Sequence, residues 1–109
     1  MNGQELVASL AIAVDVNEET PVHYVNYAEV GHSAYEFSIS VTRVPTKVDP
    51  QVLADAKKAG ILRLDAVLQL LIPTKVVPGL IEALRTQLEV YERNFGPVQS
   101  RSAKESTSE

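Results

Sequence analysis

From Tyr35 to Val44 apolar and polar residues alternate: Tyr35, Phe37, Ile39 and Val41 point one way, Glu36, Ser38, Ser40 and Thr42 the other. A period of two belongs to a β-strand with one covered face and one wet face, the habit of antiparallel sheets. A single strand of this kind is not stable alone. It needs neighbours along its edges and a layer over its apolar face.

The flanking sequence offers those neighbours. Val22–Val30 is rich in valine and tyrosine and reads as a strand whose faltering alternation suits either partial cover on both sides or a bulge near Asn26. Gly31-His32-Ser33 is the turn signal between the two runs, so together they predict a hairpin. Ile61–Ile72 has Leu62, Leu64, Ala66, Leu68, Leu70 and Ile72 on one face and is predicted as a long strand that Pro73 ends. Between them, Asp49-Pro50 opens a short helix and Gly60 closes it: aspartate caps free amides, proline suits the first turn, glycine takes the left-handed exit. Leu6–Val16 fits either period, with strand favoured by its β-branched residues, and Asn17–Pro21 is a polar loop.

The last element is helical. Leu80, Ile81, Leu84, Leu88, Tyr91 and Phe95 recur at three-and-four spacing, from a start near Thr74–Pro78 to a stop at Gly96-Pro97. Glu89 and Arg93 are spaced for an (i, i+4) pair. The fold class expected is α+β: an antiparallel sheet of three to four strands, a short helix before the last strand, and a long C-terminal amphipathic helix packed on the sheet. Residues 1–96 form one domain, and the serine-rich 97–109 lack apolar anchors and read as a disordered tail. One helix cannot cover both faces of such a sheet. Val25, Tyr27, Val67 and Leu71 are left over, which points to a homo-oligomer, most simply a two-fold dimer.

The 109 residues carry a net charge of −4, which lacks the basic footprint of a nucleic-acid binder. There is no cysteine, which removes disulfides, thiol catalysis and cysteine-held metals and is compatible with a reducing cytoplasm. Leu6–Val14 has no basic flank or cleavage site, so no signal peptide is expected, and no stretch has the length of a membrane span. The expected location is cytoplasmic, with no membrane partner.

The run Tyr24-Val25-Asn26-Tyr27-Ala28-Glu29-Val30, then Ser33 and Tyr35-Glu36-Phe37, resembles a widespread prokaryotic family of small proteins, the one numbered 3467 in the domain-of-unknown-function series. Leu80-Ile81-Glu82-Ala83-Leu84, Gln87-Leu88-Glu89, Tyr91-Glu92 and Phe95-Gly96 are similar to its C-terminal helix. The likeness spans roughly residues 22–96. The entry to the helix, Pro73-Thr74-Lys75-Val76-Val77-Pro78-Gly79, departs from the family's usual Ser/Thr-Pro cap. The resemblance implies a fold and no established activity.

No constellation of residues points to catalysis. His32, Ser33 and Glu36 are too close in sequence to aim a base at a nucleophile, and no oxyanion loop is visible. His23 and His32 are spaced too far along a strand to share a metal with Glu29 or Glu36. No glycine-rich phosphate loop is present. No enzyme activity, cofactor or metal is therefore expected. Asn26 reads as a locally satisfied amide, either at a bulge or across the hairpin to Ser38, and Glu36 as a structural pair for Arg63. The competing reading groups Tyr24, Asn26, Tyr27, Glu29, Tyr35 and Glu36 as an interaction surface. Three functions fit: a homo-oligomeric adaptor with a protein partner, a client-binding module whose element order resembles the SecB export chaperone, and a small-ligand binder at a dimer seam.

Overall fold

The computed structural model describes residues 9–99. The fold is α+β. Three strands, β1 (Tyr27–His32), β2 (Glu36–Thr42) and β3 (Leu68–Pro73), form one antiparallel sheet in the order β1-β2-β3. Helix α1 (Pro50–Ala59) lies in the connection between β2 and β3. A 3-10 turn, Thr74–Val76, leads from β3 directly into α2 (Val77–Phe95).

The alternating strand is the centre of the sheet. Directly opposed residues share a face. Phe37, Ile39 and Val41 are flanked by His32, Val30 and Ala28 on β1 and by Ile72, Leu70 and Leu68 on β3. That face is apolar except for His32, whose ring stacks on Phe37 at 5.5 Å between centroids. The opposite face carries Tyr27, Glu29 and Gly31, then Glu36, Ser38, Ser40 and Thr42, then Gln69, Leu71 and Pro73. Gln69 Nε2 donates to Ser40 Oγ across two strands at 3.1 Å, a polar link suited to a wet face.

Both helices carry their sequence signals. Asp49 Oδ1 accepts from the amides of Gln51 at 2.8 Å and Val52 at 3.4 Å, and Gly60 closes α1 in the left-handed region at φ 76°. Helix α2 has Pro78 in its first turn and ends at Gly96, with φ 92°. Asn17 and Thr20 close the polar loop before the sheet: Asn17 Oδ1 accepts from the Glu19 amide at 2.9 Å.

Five expectations need correction. The strand expected at Val22–Val30 begins only at Tyr27 and continues to His32; no bulge interrupts it. The reversal is Ser33–Tyr35, two residues later than the Gly31-His32-Ser33 signal, because the Ser33 hydroxyl organises it. Ser33 Oγ accepts from the amides of Tyr35 and Glu36, both at 3.3 Å. The strand expected over Ile61–Ile72 is ladder-bonded only from Leu68, since β2 has no residues left to pair with 61–66. Residues 11–16 are not a strand, and Leu6–Ala8 lie outside the described residues. Finally, α2 is not seated on the sheet. Its main neighbour is the 3-10 turn it grows from, and its apolar stripe stays open: Leu84 is 64% and Phe95 74% exposed. Of the tail read at 97–109, residues 100–109 lie outside the described residues.

Among the described residues no core closes. None of them is buried, and Val30, Leu68 and Leu70 on the apolar sheet face are 60%, 40% and 45% exposed.

Candidate interaction surface

The six residues grouped from the sequence do not form one patch. Tyr27 and Glu29 lie together on the wet face of the edge strand β1. Tyr24 and Asn26 precede β1, at the end of the hairpin away from its turn. Tyr35 is in the turn, 85% exposed, with Glu36 beside it at the start of β2. A strand of this length spans about 20 Å, so the two ends are separate surfaces.

Asn26 has a structural task. Its side chain takes both backbone groups of Val44: Oδ1 accepts from the Val44 amide at 2.7 Å and Nδ2 donates to the Val44 carbonyl at 3.2 Å. Its own amide donates to the Thr42 carbonyl at 3.1 Å. The carboxamide therefore mimics one more rung of the ladder past the end of β1. Local satisfaction was expected; the partner is Val44 rather than Ser38. Tyr24 stays exposed at this end, with the Arg43 guanidinium 5.4 Å from its ring centroid, at cation–π distance.

Glu36 does not pair with Arg63, and Glu89 does not pair with Arg93: among the described residues the ion pair is Arg85–Glu82, at 3.1 Å on α2. Arg63 instead borders an open groove of about 450 Å³ on the wet face, which Tyr27, Glu29, Ser40 and Thr42 floor and Ile61–Leu64 wall. The wall is tied down by Thr42 Oγ1 donating to the Asp65 carbonyl at 2.8 Å and by the Val67 amide donating to the Val41 carbonyl at 2.9 Å. Sequence reasoning missed this groove, because 61–66 read as strand and not as a crossing segment.

Ser33 spends its hydroxyl inside the turn, where it also donates to the Glu36 carbonyl at 3.4 Å, and His32 is stacked on Phe37. The two side chains are thus engaged separately. Among the described residues, no three of the His, Asp and Glu side chains gather as a metal set, and no helix is long and apolar enough to cross a membrane.

Two apolar surfaces stand open among the described residues. The sheet face centred on Ile39 and the α2 stripe of Ile81, Leu84, Leu88, Tyr91 and Phe95 are both uncovered. Tyr91 and Phe95, one turn apart, already pack ring to ring at 4.9 Å. No family model, curated protein or solved structure matches the chain.

Proposed function

We propose that this chain is a homo-oligomeric protein-interaction module, most simply a dimer, working in the cytoplasm. The observation that carries the reading is that one copy leaves two apolar surfaces, a sheet face and a helix stripe, without a core between them. Burial of such surface is the main driving force of association. A net charge of −4 and the absence of cysteine suit a reducing interior with no nucleic-acid role. The signals around Asn26-Tyr27-Ala28 and Tyr91…Gly96 support membership of the 3467 family. We assign no catalytic step, since Ser33 and His32 are each engaged in local structure.

Within an oligomer, the wet face would remain for a second protein. Tyr27 and Glu29 beside the Arg63 groove are its best-placed contacts, with Tyr35 forming a separate contact at the turn. Sedimentation velocity over a concentration series tests the first step: a dimer or larger assembly is expected, and a single-chain mass at the highest concentration refutes it.

The same open apolar face favours a second reading, a SecB-like client-binding module. Such a protein would keep apolar surface open in its native assembly and bind an environment-sensitive dye, whereas a closed dimer would not. The small-ligand reading rests on the groove, and a thermal shift across a metabolite set would reveal it.

A further inference from the structure

Both apolar surfaces are satisfied at once if they meet each other, and the single chain does not bring them together. The junction explains why. Thr74–Val76 is already helical, so no loop separates β3 from α2. The Thr74 amide donates to the Tyr35 carbonyl at 3.1 Å, which pins the junction to the hairpin turn. The helix therefore leaves from the turn end of the sheet without folding back over it.

Resting on the homo-oligomer reading, we infer that two copies exchange helices: α2 of each lies on the apolar sheet face of the other. The dimensions agree. Nineteen residues of helix run about 28 Å, enough to cross a sheet whose strands are about 20 Å long. Each sheet has one apolar and one wet face, so one helix per sheet completes the layer. The apolar side chains left open on the two surfaces offer on the order of 1,000 Å² per copy, or about 2,000 Å² for the pair, the lower end of permanent homodimer interfaces. A two-fold axis repeats the contact, so the arrangement closes at two copies. Pairing helix with helix would instead leave both sheet faces open.

The cysteine-free sequence makes a direct test available. Full-length chains carrying Leu84→Cys are mixed with size-tagged chains carrying Ile39→Cys and treated with a short thiol cross-linker. The expected product is the mixed cross-linked dimer, and Ser40→Cys, on the wet face, should give none with Leu84→Cys. A second pair, Leu88→Cys with Leu70→Cys, guards against one variant that does not fold. Sedimentation of each variant separates the two levels of the argument. A single-chain mass for wild type refutes the oligomer reading itself. A dimer whose cross-links are only Leu84→Cys to Leu84→Cys, or only Ile39→Cys to Ile39→Cys, refutes the exchange and leaves the oligomer standing. A dimer in which neither mixed pair cross-links refutes the exchange as well.

Discussion

Replacing Asn26 tests whether a side chain extends the sheet. Asn26→Ala removes two hydrogen bonds to Val44, the 2.7 Å bond from its amide and the 3.2 Å bond to its carbonyl. A typical intramolecular hydrogen bond contributes about 0.5–1.5 kcal/mol net, and partial exposure places these at the lower end, because water replaces the lost partner. The expected loss is about 1–2 kcal/mol, roughly a 5- to 30-fold fall in the folding equilibrium. Asn26→Asp keeps the acceptor for the Val44 amide but turns a carboxylate oxygen toward the Val44 carbonyl, so its loss should fall between wild type and Ala. Urea unfolding at one fixed protein concentration measures both, since self-association would otherwise shift the midpoints. Hydrogen exchange adds a local readout: the Val44 amide should lose protection in Asn26→Ala and keep most of it in Asn26→Asp. Equal midpoints for wild type and Asn26→Ala, with unchanged Val44 exchange, would refute the reasoning.

Substitutions at four more positions follow from the same geometry. Asp49→Ala deletes the cap of α1 and should cost about 1 kcal/mol by chemical denaturation, with Asp49→Ser recovering most of it. Gly60→Ala should cost roughly 1 kcal/mol because φ is 76°, and Gly96→Ala more, up to about 3 kcal/mol, because φ 92° with ψ 176° is a region only glycine occupies; thermal melts rank the two, and a reversed order contradicts the backbone argument. Leu84→Asp places a charge on the most open aliphatic position of the α2 stripe and should weaken self-association at least tenfold in sedimentation, about 1.4 kcal/mol, while helical content in circular dichroism stays close to wild type.

Local signals were the legible part of the fold. Asp49-Pro50 and Gly60 bound α1 where the structure has it, and Gly96 ends α2. These signals work because a cap acts on its own backbone neighbours. Strand ends were less legible. The alternation of Ile61–Ile72 is real, but a strand extends only as far as its partner, and on that edge β2 pairs with Leu68–Pro73 only. The apolar pattern of residues 10–16 finds no partner among the described residues, for the same reason. Whether α2 lies on its own sheet depends on the junction at Thr74, a non-local fact that a helical period cannot carry. At the candidate surface, the sequence separated Asn26 from its apolar neighbours correctly, but its partner Val44 is fixed by register rather than by composition.

The order β1-β2-β3 also sets an order of events in folding. β1 and β2 are joined by a short turn and can zip together on the microsecond scale of an isolated hairpin. β3 must first close the long connection 43–67 before its rungs form on β2. Closure entropy grows only with the logarithm of length, so halving that connection would ease docking by just about 0.6 kcal/mol. The segment around α1 is therefore the place where insertions should slow the assembly of this sheet least.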